Sequence, residues 1–147
     1  MSGTITATIL VIAMMAGTSG VNAANCTLQS LTPDGESLSV PGVGKVALGT
    51  ADDVARPAAW QGPLVSGACT FDIGIIELPI FASKPGHLYV TTYSGAVRRM
   101  SLVDFKSCKV SWQSKPFVGP VQVEAAGLKL GNSRLNFDAR CGLKPER

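Results

Sequence analysis

One histidine, His87, serves the whole 147-residue chain. That excludes any metal site built on paired imidazoles, and no spaced group of carboxylates replaces them. A Gly-rich phosphate loop, an H-E-x-x-H pair, an EF-hand loop and a G-x-S-x-G elbow are all missing. No cofactor or metal is therefore expected. The four cysteines, Cys26, Cys69, Cys108 and Cys141, lie far apart, which excludes zinc-finger and dithiol spacings. Beyond residue 23 no stretch keeps a helical period. Charge is missing from the start of the chain, where no Asp, Glu, Lys or Arg precedes Asp34.

That uncharged start has its own reading. The apolar run Ile5 to Ala16 is too short to cross a bilayer, and Val21-Asn22-Ala23 offers a small-x-small cleavage motif. An export signal is expected over residues 1–23, cut after Ala23 or Ala24, although its first residues lack the usual Lys or Arg. Asn25 stands directly before Cys26, where a lipoprotein would need a small residue. The expectation is a single domain over residues 24–147, periplasmic or secreted, with no membrane anchor. Its length suffices to bury a core unaided.

An even number of cysteines behind an export signal reads as two disulfides. The count leaves the connectivity open. Pairing nearest neighbours gives Cys26–Cys69 with Cys108–Cys141, which is the expectation; Cys69–Cys108 with Cys26–Cys141 is its rival. Each bridge closes a long loop, worth roughly 3–4 kcal/mol in the chain-entropy model.

Strand patterns fill the rest. CTFDIGIIEL (69–78) is an apolar run with Gly74 as a candidate bulge, and Pro79 restricts it to an edge or an end. HLYVTTY and AVRRMSLV flank Ser94-Gly95, a candidate hairpin turn. In CKVSWQS the residues Cys108, Val110 and Trp112 share one face, which makes Trp112 a core residue. Val121 and Val123 alternate with Gln122 and Glu124. GLKLGNSRLNFDAR sets Leu128 and Leu130 against Leu135 and Phe137. ESLSV and KVALG are weaker candidates near the start. The fold class expected is all-β, a single antiparallel sandwich or barrel of about eight strands. The stretch LYVTTYSGAVRRMSLVDFKSCKVSW resembles one β-propeller blade; the resemblance implies three consecutive strands of one sheet and no particular function.

Charge is unevenly spread. Residues 24–83 carry two basic and six acidic side chains, and residues 84–147 carry eleven basic and four acidic. Pairing of strands from the two halves would neutralise much of this; a basic surface for an anionic partner is the other reading. Nucleic acid is not expected to be that partner in an exported protein.

Two regions offer candidate binding residues. In the hairpin, successive side chains alternate, so Arg98 and Arg99 point to opposite faces. One of them therefore shares a face with Leu88 and Val90, and it must either lie at a sheet edge or meet a carboxylate such as Asp104 or Glu77. Tyr93 beside Arg98 or Arg99 would suit an anion. The second region is the stretch 50–68, read as a long loop in which Trp60 and Arg56 have the composition of a binding hot spot. Alternatively, Trp60 folds back to plug the core. The function expected is a binding or interaction module for an envelope or extracellular protein or glycan. The rivals are a structural or assembly subunit of the envelope, and a small hydrolase using His87.

Overall fold

The computed structural model describes residues 26–145, so the expected leader over residues 1–23 lies outside them. Fourteen strands and no helix occur among the described residues. They are β1 (Gln29–Leu31), β2 (Ser37–Val40), β3 (Gly44–Ala47), β4 (Ala59–Trp60), β5 (Leu64–Ser66), β6 (Cys69–Phe71) and β7 (Ile75–Ala82). The series continues with β8 (His87–Ser94), β9 (Val97–Asp104), β10 (Lys109–Gln113), β11 (Val121–Glu124), β12 (Gly127–Leu130), β13 (Ser133–Phe137) and β14 (Leu143–Pro145).

The strands form three open sheets rather than one sandwich or barrel of about eight strands. β2, β3, β5 and β6 make the first. β7, β8, β9 and β10 make the central sheet, with β1 and β4 sharing the outer edge of β7. β11 to β14 make the third. Every ladder between these strands is antiparallel.

The central sheet is covered on both faces, and β8 shows why. Its Leu88 and Val90 pack with Leu38, Val46, Leu48 and Leu64 of the first sheet and its connections. The intervening Tyr89 packs with Leu128, Leu130 and Leu143 of the third. Alternation along a strand sends successive side chains to opposite faces, so one apolar strand feeds two cores. Thr91 and Thr92 are buried as well. Their hydroxyls donate to Pro79 O at 2.7 Å and Arg99 O at 3.3 Å, which satisfies them.

The apolar run 69–78 is not one strand. Gly74 separates β6 of the first sheet from β7 of the central one. β7 then runs through Pro79 instead of ending there. On its outer edge β4 pairs with Ile76 and Glu77, β1 pairs with Ile80 to Ala82, and Leu78-Pro79 falls in the gap. The pairing to β8 also shifts between Glu77 and Ile80. A proline there removes no ladder hydrogen bond.

The hairpin turn is Gly95-Ala96, one residue later than expected, so Tyr93 faces Arg98 and Ser94 faces Val97. Gly95 has φ +62, the left-handed backbone that a primed turn requires at its first central position. A second departure lies in β10. The pairing to β9 shifts between Val110 and Trp112, so Val110 opposes Val103 of the first core and Trp112 opposes Leu102 of the second. The bulge thus breaks the expected in-phase set Cys108, Val110 and Trp112.

The disulfides are Cys26–Cys141 and Cys69–Cys108, which corrects the nearest-neighbour expectation Cys26–Cys69 with Cys108–Cys141. The layering explains the pairing. Cys69 opens β6 in the first sheet, and Cys108 sits in the β9–β10 turn of the central sheet that packs on it. Cys26 precedes β1 on the central sheet's edge, and Cys141 lies between β13 and β14 of the third. Each bridge therefore ties the central sheet to one of its neighbours.

Candidate functional site

The residues singled out from the sequence do not converge on one place. Trp60 is only 2 % exposed and belongs to the first core. Its indole Nε1 donates to Gly35 O at 2.8 Å. The expected hot spot at Trp60 is thereby corrected: the ring plugs the core, because β4 pairs it to β7. The stretch 50–68 is not a loop throughout, since it contains β4 and β5. Its longest irregular part lies between Ala51 and Ala58. The chain closes around it at a Gly49–Gly62 bridge, where a Cβ on Gly49 would strike the Gly62 backbone.

That short loop is built on carboxylates. Asp52 Oδ1 accepts the amides of Asp53, Ala58 and Ala59 at 2.9, 2.9 and 3.1 Å. Asp53 Oδ1 accepts those of Ala55 and Arg56. The amide bonds from Ala58 and Ala59 hold the Asp52 carboxyl below its usual pKa. Arg56 is exposed at the tip, and Val54 beside it is 90 % exposed. The acidic first half of the chain thus spends three of its six carboxylates on backbone amides: Glu36 Oε1 takes Ala51 N in the same way as Asp52 and Asp53. Among the described residues one ion pair joins the acidic and basic halves.

That pair is Glu77–Arg98, and it lies in the best-built polar site. Arg98 Nε stands 2.7 Å from Glu77 Oε1, with the two side chains 32 % and 16 % exposed. Glu77 Oε1 is enclosed, and no hydrogen-bond donor is aimed at it, so its compensation is ionic alone. Arg98 also donates through Nη1 to Gly119 O at 3.2 Å, while its backbone exchanges two hydrogen bonds with Phe117. The guanidinium therefore pins the 114–120 crossover, which leads to the third sheet, against the central sheet. Tyr93, cross-strand partner of Arg98, joins Glu77, Arg98, Gly119 and Pro120 around an open groove of about 420 Å³.

Arg99 takes no part in this groove. It points to the opposite face, beyond the cover of the first sheet, and donates to Gln113 Oε1 at 3.0 Å. Alternation separates the two arginines, but the one that shares the Leu88 and Val90 face is Arg99, which meets Gln113 and not a carboxylate; Glu77 pairs instead with Arg98 on the other face.

His87 Nε2 is 3.8 Å from Asp104 Oδ2, and Ser107 Oγ donates to the same oxygen at 2.9 Å. Partial burial works to raise the Asp104 carboxyl, but the Ser107 hydroxyl, the Lys106 amide and His87 outweigh it and hold its pKa below normal. The hydroxyl rests on the carboxylate and not on the imidazole, so this order of groups activates no nucleophile. Among the described residues no three His, Cys, Asp or Glu side chains gather as metal ligands.

On the other side of the 114–120 crossover lies a second opening that the pattern reading missed. Trp112, assigned to the core, is half-buried and meets Tyr89 edge to face at 6.2 Å. It lines a cleft of about 490 Å³ with Phe117, Leu130 and Leu135. The signal available was SKPFVGP (114–120), a proline-bounded crossover that cannot seal the ends of the sheets it joins.

Comparison with known proteins gives no match to a protein family, a curated protein or a solved structure.

Proposed function

We propose that this chain is an exported binding module that recognises a glycan or protein of the envelope or extracellular space through the Tyr93–Glu77–Arg98 groove. The groove is the observation that carries the reading. An aromatic ring, a carboxylate and a guanidinium surround an open polar hollow, a complement to a sugar's C–H faces and hydroxyls or to a polar protein surface. Two disulfides suit an oxidising compartment, as the leader reading over residues 1–23 requires. Arg56 at its ordered loop tip is a second, separate contact point.

The test uses the disulfide-bonded protein as bait in an envelope extract and on a glycan array. Tyr93→Ala and Arg56→Ala baits run beside it. A ligand held by the wild type and lost with Tyr93→Ala supports the groove. Retention by both variants removes it.

An assembly role is the second reading, and β11 favours it. This strand lies at the edge of the third sheet with Val123 53 % exposed and Glu124 its only charge. An unpaired edge of that kind can add a strand from another copy. Growth in size with concentration on a sizing column, abolished by Val123→Lys, would favour self-assembly over capture of a ligand.

A further inference from the structure

The backbone of β11 offers its groups to solvent in a fixed order. Glu124 and Gly127 flank the turn Ala125-Ala126, and residues flanking so short a hairpin turn exchange both of their backbone hydrogen bonds. Alternation then bonds Gln122 to Lys129, and in the same phase Pro120 O accepts Gly131 N at 2.9 Å. The N–H and C=O groups of Val121 and Val123 therefore point away from β12. Among the described residues nothing pairs with them, because β11 is the outermost strand of its sheet. The edge at β10 differs. A bulge interrupts it at Ser111 and Lys109 stands at its start, both devices that discourage strand addition. β11 keeps an unbroken register and carries no lysine.

β11 also starts at the groove. Gly119 and Pro120, which lead into it, line the groove together with Tyr93, Glu77 and Arg98. A strand added beside Val123 and Val121 runs on past Pro120 into that space. A glycan has no alternating N–H and C=O groups at strand spacing, so the edge selects a polypeptide. A second copy pairing through its own β11 at both Val121 and Val123 would bring only Glu124 and the Ala125-Ala126 turn to the groove. That places a carboxylate near Glu77 and methyl groups too small to fill about 420 Å³. The Glu77 and Arg98 charges already offset each other at 2.7 Å, so a side chain entering the groove needs no charge of its own.

We propose that an extended segment of a partner protein adds to the β11 edge and sets one uncharged polar side chain in the Tyr93–Glu77–Arg98 groove. Main-chain bonds to Val121 and Val123 hold the segment, and the groove reads its side chain. This rests on the groove reading above and narrows its ligand from glycan or protein to an extended stretch of protein.

The whole disulfide-bonded protein selects binders from a phage-displayed library of random linear peptides. A selected peptide is then synthesised and titrated by calorimetry against the wild type, Val123→Pro and Tyr93→Ala. Val123→Pro removes an outward-pointing donor and no ladder bond, so it should keep the far-ultraviolet dichroism. Each variant should bind about tenfold more weakly or worse. Methylating the peptide's own backbone nitrogens one at a time leaves the protein untouched, and binding should fall at alternate positions only. The proposal is overturned by a library that yields no binder, by a methylation scan without that alternation, or by wild-type affinity in either variant. Dimerisation of the protein abolished by Val123→Pro would also overturn it and assign the edge to a second copy. If the strand fails while an arrayed glycan still needs Tyr93, the groove reading stands alone; if no ligand needs Tyr93, both fall.

Discussion

On one side of the central sheet Val46, Leu48 and Leu64 are wholly withdrawn from solvent; on the other, Leu135, Phe137 and Trp112 remain half covered. The same strands, β7 to β9, supply both interfaces, so the difference lies in what covers them. The first sheet is closed at one end by Trp60, whose indole is tied to Gly35 O. Cys69–Cys108 joins the sheets directly. The third sheet is held by the 114–120 crossover and by Cys26–Cys141 at its far turn. Its edges stay open, and both candidate binding spaces border that crossover. A sealed interface supplies rigidity, and an unsealed one keeps apolar surface that a ligand can cover.

The largest expected effect is a direct contrast between the two interfaces. Leu64→Ala removes a fully enclosed side chain and should cost about 3–5 kcal/mol in denaturant unfolding. Leu135→Ala removes a half-covered one at the cleft and should cost about 1 kcal/mol. Equal losses would mean that the second interface is sealed as well as the first, and the cleft would lose its meaning.

Alkaline unfolding sharpens the same contrast. Burial pushes the Tyr89 hydroxyl in the second core up to about 12, with Asp138 adding to the effect. A pKa raised on folding gives stability that is complete below the unfolded value near 10 and is lost as pH rises toward the folded one. Up to about 3 kcal/mol should disappear across that window. Tyr89→Phe, which forgoes only a 3.3 Å bond to Cys141 O, should flatten the profile. A slope unchanged in the variant would assign the alkaline loss elsewhere.

Two ion pairs test the crossover more finely. Glu77→Gln leaves the Arg98 charge beside an enclosed amide and should cost about 1–2 kcal/mol, discounted for its partial exposure. Glu124→Gln, at an exposed pair with Arg134, should cost less than about 0.5 kcal/mol. Chemical denaturation of both variants measures the difference. If the two were equal, Arg98 would not be the staple between central and third sheets.

These contrasts also mark what the sequence could reveal. Alternation found β2, β3 and the β12–β13 hairpin, because each presents one apolar face to a core. It could not count layers. β8 reads as an apolar run with Thr91 and Thr92, and only its neighbours show that both faces are covered. Ser111 shows the other limit: one bulged residue takes Val110 and Trp112 out of phase, leaving Val110 exposed and Trp112 against the second core, and nothing in CKVSWQS announces it. The two-residue strand β4 is too short to display a period, so Trp60 looked like part of a loop. At the groove, strand alternation separated Arg98 from Arg99, but it sought a carboxylate for the arginine on the Leu88 and Val90 face, whereas Glu77 meets the other one. The contribution of Gly119 and Pro120 depends on a crossover whose path has no periodic signature. The disulfides follow layer contacts, which sequence proximity does not encode.

The smallest global effect is expected beside the sealed core, in the loop between Ala51 and Ala58. Asp52 accepts three backbone amides there, and its side chain is exposed. Asp52→Asn keeps the shape but weakens these bonds, since a carboxylate is the stronger acceptor. The loop meets the core only at its ends, through Ala51 on one side and through Ala59 and Trp60 on the other, and β7 holds the latter pair independently. The unfolding midpoint should therefore hardly move, while hydrogen exchange at the Ala58 and Ala59 amides should accelerate. Acid should act on the wild type in the same way. Those amides hold the Asp52 pKa below its usual 3.8, so their protection is complete above that value and is lost as pH falls through the depressed one. Exchange corrected for its intrinsic pH dependence separates the two effects. If Asp52→Asn lowered the midpoint as much as Leu64→Ala, the loop would be part of the first interface's seal, and Arg56 and Val54 would lose their standing as a free contact surface.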